Sequence, residues 1–339
     1  MVGAFSGRAL DAGLFRPTLI LGISIQLVGI FTMSVAKTYW QPLLTQGICT
    51  GIGGGIFFCP VVGLVSTYFA KKRGMAIGII TTGNSVGGLI YPVVVRQLLD
   101  KVGFGWTVRV LGFINVVSLA VVLAFMKTRL PPRTTGPIID TSAFRDPPYM
   151  IHILGMCFLM APVYFVFYYI ASFARDELDM SYNSSLNLVI ILNGIGIPAR
   201  VLPGFIADRY IGPLNTFSCC LLINVVMLWA WVGVHSIPSF YVFTIIHGLG
   251  AATFQSLFPT SIAALSNDIT KSGTRLGMAF TVISFSGLVG GPISGALLKV
   301  AGGNYVVPMC WAASSTMIGM GLCMTARGGK HGCCWKTRC

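Results

Sequence analysis

Ten apolar stretches, each long enough to cross a bilayer at roughly 20 residues per crossing, follow one another along the chain. They lie near residues 17–36, 40–70, 74–98, 106–126, 149–172, 185–205, 214–233, 238–264, 276–299 and 304–326. The hydrocarbon interior offers no partner for a backbone N–H or C=O, so a spanning segment must be a helix or part of a closed barrel. A barrel needs short strands of alternating polarity, and these runs are long and unbroken. Composition agrees: 55% of the 339 residues are hydrophobic and 9% charged, against about 25% charged in a soluble domain. The chain is read as an all-α polytopic membrane protein with about ten complete transmembrane helices. Residues 1–6 are read as the end of a further one.

The formal net charge of +14 does not point to a nucleic-acid partner, because the bases sit singly or in short clusters between apolar runs. They report sidedness instead. Loops with Arg8 and Arg16, Lys71 to Arg73, Lys127 to Arg145, Arg209, Lys271 and Arg275, and the segment from Arg327, alternate with loops holding only Lys37, Lys101, Arg175 and Lys299. The first set is assigned to the cytoplasm. That places the Asn183-Ser184-Ser185 sequon outside, as a glycosylation candidate. Seven of the ten cysteines fall inside apolar runs, where cysteine packs as a small hydrophobe. The other three, Cys333, Cys334 and Cys339, lie beside basic residues in the tail, where acylation or an unselected extension are both open readings. Their spacing does not suit a metal.

Two halves are visible. Gly7-x-x-x-Asp11 recurs as Gly204-x-x-x-Asp208, and Gly51-x-Gly53 as Gly248-x-Gly250, at one offset. Gly74-Met75-Ala76, followed by Gly87-Gly88, returns as Gly277-Met278-Ala279 followed by Gly290-Gly291, with the added residues assigned to the 266–274 loop. Residues 1–126 are therefore read as one half, 127–148 with Pro131-Pro132-Arg133 as a linker, 149–326 as a six-helix half and 327–339 as a tail. Parallel repeats of six helices around a midplane site are the build of the major facilitator fold, twelve helices in all. The first half shows four spans and a stub, so the chain is expected to lack the first helix and most of the second.

The motifs carry a resemblance. Gly204-Phe-Ile-Ala-Asp208-Arg209-x-x-Gly212 resembles the superfamily's signature between the second and third helices of a half, and Gly7-Arg8-Ala-Leu-Asp11-Ala-Gly13 is its degenerate copy. Tyr68-Phe69-Ala-Lys71-Lys72-Arg73-Gly-Met75-Ala76-Ile-Gly78 is similar to the segment before the fifth helix of monocarboxylate porters, especially their fungal branch, and Asn193-Gly194-x-Gly196-x-x-x-Arg200-x-x-Pro203-Gly204 resembles that branch's eighth helix. The resemblance covers nearly the whole chain. It implies movement of small carboxylates with protons, or of vitamins or secondary metabolites in fungal relatives. Animal monocarboxylate porters pair the eighth-helix arginine with an aspartate four residues earlier, where this chain has Gly196.

All nine acidic residues fall in loops or at span ends, and ionisable groups within spans are functional candidates because they are costly there. Arg200 is the candidate contact for a substrate carboxylate, Asn193 a candidate cavity-lining hydrogen bonder, and His152 and His247 candidates for proton handling, against interhelical hydrogen bonding for both. Asp11 and Asp208 with Arg209, Lys71, Lys72 and Arg73 are candidates for a cytoplasmic gate, a carboxylate meeting a helix N-terminus beside basic residues. Glycine strings such as Gly51 to Gly55 precede no Lys-Ser or Lys-Thr pair and are assigned to helix packing rather than phosphate binding. No nucleophile triad, carboxylate pair or metal cluster lies in the spans, so neither an enzyme nor a cofactor is expected. The expected function is alternating-access transport of a small organic solute, a monocarboxylate or other organic anion, with proton coupling open. The alternatives are a secondary-metabolite or vitamin carrier and a transport-inactive truncated chain. The partners are a small-molecule substrate and the bilayer, with oligomeric state undetermined. The plasma membrane is the first expectation for location and an endomembrane the second.

Overall fold

The computed structural model describes residues 3–69, 72–128, 139–265 and 272–331. Lipid requires every backbone polar group to be paired within the protein, and helix answers that requirement. In order come α1 Gly3–Asp11, α2 Phe15–Met33, α3 Trp40–Pro42, α4 Thr50–Tyr68, α5 Arg73–Phe125, α6 Pro147–Asp176, α7 Tyr182–Ile206, α8 Pro213–Trp231, α9 Ile237–Leu265, α10 Ser272–Val300 and α11 Val306–His331. A widened turn over Leu43–Cys49 joins α3 to α4, and another over Ala207–Ile211 prolongs α7.

Among the described residues, nine helices are long and apolar enough to cross a membrane. One of them supplies two crossings. Helix α5 has 53 residues and leaves helical geometry at Gly103, with φ 75° and ψ 173°. At 1.5 Å per residue that length is about 80 Å, more than twice a hydrocarbon core of about 30 Å. The ten expected spans therefore all correspond to helix.

The boundaries depart from the sequence reading in three places. Gly7 to Asp11 and Gly204 to Asp208, expected in loops, are helical, and the chain turns only at Gly13 (φ 81°) and Gly212 (φ 82°). These two turns need a left-handed backbone that glycine adopts without penalty. Helix α11 runs on to His331, so Arg327 belongs to a helix rather than to the tail. The tail cysteines and Lys71 lie outside the described residues.

Two compact units are present. The first holds α1 to α4, α5 from Ile90, and α10 as far as Thr281. Its core gathers Phe15, Leu19, Ile23, Leu64 and Leu119. Helices α2 and α4 approach at Gly22 and Gly53, where a Cβ on Gly53 would stand 2.6 Å from the Gln26 nitrogen. Between helices in lipid the hydrophobic effect gives little, so such close backbone packing supplies the cohesion.

The second unit holds α5 through Leu89, α6 to α9, α10 from Val282, and α11. One end of its core is aromatic: Trp231 stacks on Phe243 at 5.0 Å and tilts against Phe165 at 5.3 Å, with Phe173 and Phe240 alongside.

Each unit contains the same glycine contact. In the second, Gly204 faces the Gly74 carbonyl and Gly78 faces that of Arg200; in the first, Gly7 faces the Gly273 carbonyl and Gly3 that of Gly277. Gly74 thus matches Gly273, not Gly277 as the sequence repeat suggests. Recurrence of Gly-Met-Ala misled because the contact selects a glycine at the crossing point and is indifferent to the residues following it.

Candidate functional site

Helix α7 carries two prolines, Pro198 and Pro203, on either side of Arg200. A proline lacks the N–H that would bond the carbonyl four residues back, so Pro203 leaves the Ala199 carbonyl without its helical partner. Thr253 of α9 can supply one: its hydroxyl, with a single proton to donate, lies 2.8 Å from Ala199 O and also 2.8 Å from Leu249 O of its own helix. The backbone under Arg200 is therefore held partly from a neighbouring helix.

The Arg200 side chain is 3% exposed. Its Nε donates to Ser85 Oγ of α5 at 2.8 Å and its Nη2 to Gln255 Oε1 of α9 at 2.7 Å. Nη1 is buried with no hydrogen-bond partner. Among the described residues no carboxylate contacts this guanidinium; the phenol of Tyr164, which stacks with Tyr168 at 5.8 Å on α6, lies within its electrostatic reach. A buried charge with neutral partners retains a desolvation cost of several kcal/mol. Gly196, one turn before Arg200, makes the arrangement possible: a Cβ there would stand 2.5 Å from Ser85 Oγ.

Asn193 lies on the same face of α7. Its Nδ2 donates to Val189 O at 2.9 Å, and its amide oxygen fills the space where a Cβ on Gly88 would project. Gly74, Gly78, Ser85 and Gly88 thus form one small-residue edge of α5 against α7.

Four of the gating candidates, Asp208, Arg209, Lys72 and Arg73, lie at one end of that edge. Asp208, in the widened turn after α7, accepts hydrogen bonds from Gly74 N at 3.0 Å and Met75 N at 2.8 Å. These are unpaired donors of the first turn of α5, where the helix dipole also favours an anion. Arg73 Nε is buried without a hydrogen-bond partner, and Lys72 is exposed. Arg209 faces aromatic rings, 5.7 Å from both Phe205 and Tyr210. Asp11 ends α1.

The two histidines stand apart from Arg200 in their bonding. His152 pairs through Nε2 with Ser261 Oγ at 3.0 Å, an interhelical bond from α6 to α9. His247 stacks on Phe243 at 5.4 Å and lines a cavity of about 30 Å3 with Asn224, Thr316 and apolar residues. Neither ring's Nδ1 has a partner. Asn183 is exposed in the first turn of α7, behind a Ser181 cap that accepts from Ser184 N at 3.2 Å.

Sequence reasoning missed Ser85, Gln255 and Thr253. A signal existed for Gln255, an amide midway along an apolar run, as Asn193 is. Ser85 sits in a glycine string and offered none.

Known proteins now bear on this geometry. The profile of the Major Facilitator Superfamily matches residues 2–211. An MFS-type transporter of Gibberella zeae is 40% identical over 328 residues, spanning 96% of this chain and 74% of the relative. The Fujikurins efflux protein of Gibberella fujikuroi is 31% identical, over 92% of this chain and 67% of its own. Among solved structures, that of the human organic anion transporter MFSD10 superposes with a TM-score of 0.76 at 14% identity, covering 95% of this chain and 80% of the other. That last likeness concerns the fold. The sequence relatives decide the family, whose members are transporters and not enzymes: this chain is a multi-pass membrane protein belonging to the Major Facilitator Superfamily.

Proposed function

We propose that this chain moves a small organic anion by alternating access, with Arg200 as the contact for the anion. One observation carries the reading: a guanidinium 3% exposed, deep in a helix, with Nη1 unpaired and only neutral partners. A carboxylate or comparable oxyanion is the group that recovers the cost of burying it. Within the superfamily we place the chain near the fungal monocarboxylate-porter-like branch, on the Tyr68 to Gly78 and Asn193 to Gly204 segments. A relative named as an efflux protein supports outward movement, and the plasma membrane is the location we assign. Asp208, bonded from the turn after α7 to the start of α5, is the proposed latch of the cytoplasmic end, and His152 and His247 are the residues on which any proton coupling would rest.

Uptake and efflux of matched anionic and neutral organic solutes by reconstituted vesicles test this. We expect anions to be moved selectively, Arg200→Ala to reduce transport at least tenfold, and Arg200→Lys to recover part of it. Unchanged transport by both variants removes Arg200 from the mechanism. An imposed pH gradient that leaves the wild-type rate unaltered removes proton coupling.

A further inference from the structure

We propose that Ser85 and Gln255 are positioning residues that hold Arg200 through two neutral, non-titrating acceptors, so that Nη1 is left for the substrate anion and the site stays cationic in the empty carrier. The proposal rests on the reading of Arg200 as the anion contact and adds what sets its charge, its direction and its pH behaviour.

Guanidinium is planar, with Nε–H and the two terminal amino groups in a fixed fork. Bonds to Ser85 at Nε and to Gln255 at Nη2 fix that plane from two helices, α5 and α9, while Arg200 itself sits on α7. Rotation about the terminal bonds is removed, and the unpartnered N–H groups of Nη1 keep one direction. The approach of α5 that brings Ser85 within 2.8 Å depends on small residues: Gly78 packs on the Arg200 carbonyl, and Gly196 leaves room for the Ser85 hydroxyl.

The chemistry of the two acceptors matters as much as their placement. A carboxylate at either position would neutralise the guanidinium, compete with the incoming anion and release it only on protonation. A hydroxyl and an amide do neither, and the titratable group within electrostatic reach of Arg200 from α6 is the phenol of Tyr164, no carboxylate. Their pairing with Arg200 leaves its charge unspent, so anion binding at this point follows the substrate's own ionisation and no carboxylate of the protein.

The test uses the purified 339-residue chain in detergent, with benzoate as the probe and thermal stabilisation as the readout of binding. We expect benzoate to stabilise the wild type with a midpoint concentration that does not vary between pH 5.5 and 8, and Arg200→Gln to abolish the effect. Ser85→Ala should raise the midpoint five- to tenfold, with Ser85→Thr restoring it. Gln255→Glu, the same size with a carboxylate, should raise the midpoint at least tenfold at pH 8. That loss should diminish as the pH falls and the introduced carboxylate protonates, a dependence that loss of packing would not produce. If Arg200→Gln abolishes binding while Ser85→Ala binds as wild type does, or Gln255→Glu shows no pH dependence, the positioning proposal falls and the anion contact stands. Binding that survives in Arg200→Gln, or its absence from a folded wild type, overturns both.

Discussion

Asp140, just before α6, and Arg275, in the first turn of α10, form an ion pair of 3.0 Å in which each side chain is only 9% exposed. The Asp140 backbone N–H also points at the Met278 sulfur, at 3.3 Å. A carboxylate expected in a linker and a base expected in an open loop are thus withdrawn together from water. Both partners have to be present for that burial to be tolerated.

Asp140→Asn should therefore lower the unfolding free energy by about 3 kcal/mol, because the buried Arg275 charge loses this carboxylate. Arg275→Gln should cost a similar amount. The double variant should cost less than the sum, by a coupling energy of about 1 kcal/mol or more. Denaturation of the four proteins in one detergent measures the cycle; strict additivity would show that the pair contributes no coupling.

Asp208 makes a different kind of contact, with backbone donors of α5. Asp208→Ala leaves those N–H groups without acceptors and should cost about 1–2 kcal/mol, the range of a lost helix cap. Asp208→Asn keeps an acceptor while losing the interaction of the charge with the helix dipole, worth about 0.3–1 kcal/mol near a surface. Amide exchange at Gly74 and Met75 should rise in the order wild type, Asn, Ala. Equal exchange in all three would dissociate Asp208 from the start of α5.

Thr253 substitutes for the backbone donor that Pro203 lacks. Thr253→Val keeps the shape and removes the hydroxyl, leaving the Ala199 carbonyl unsatisfied at a cost of about 1–3 kcal/mol. Thr253→Ser should retain most of the stability. Because Ala199 adjoins Arg200, Thr253→Val should also weaken anion binding, whereas a stability loss with unchanged affinity would confine Thr253 to the scaffold.

How much of this was legible in the sequence varied with the physics involved. The spans were legible because a bilayer sets a length and forbids unpaired backbone, and α5 was divided correctly because Lys101 and the glycines around it interrupt the apolar run. Arg200 was legible because a charge within a span is costly. Its partners were not: Ser85 and Gln255 are uncharged, and their proximity to Arg200 follows from how α5 and α9 cross α7. Arg275 and Arg327 were read as loop and tail charges, although both are buried, at 8% and 5% exposure. Arg327 donates to Asn215 at 2.6 Å. Charge alone signals a membrane boundary, and only packing distinguishes a solvated base from a paired one.

The α5–α7 edge gives the last prediction, because its glycines differ from others in what surrounds them. A Cβ on Gly204 would collide with the Gly74 backbone, whereas one on Gly54 has nothing within 4 Å. Backbone gives way less readily than a flexible side chain, so Gly204→Ala forces the two helices apart. The cost expected is about 1–3 kcal/mol, as for overpacking in a core, accompanied by lengthening of the Asp208 bonds to Gly74 and Met75. Gly54→Ala should be neutral or stabilising by up to about 1 kcal/mol, since alanine is the better helix former and meets no obstacle. Thermal denaturation of both variants checks the contrast, and amide exchange at Met75 checks its cause. Equal stability of the two would mean that α5 and α7 do not need their glycine contact, and with it the close approach that brings Ser85 to Arg200.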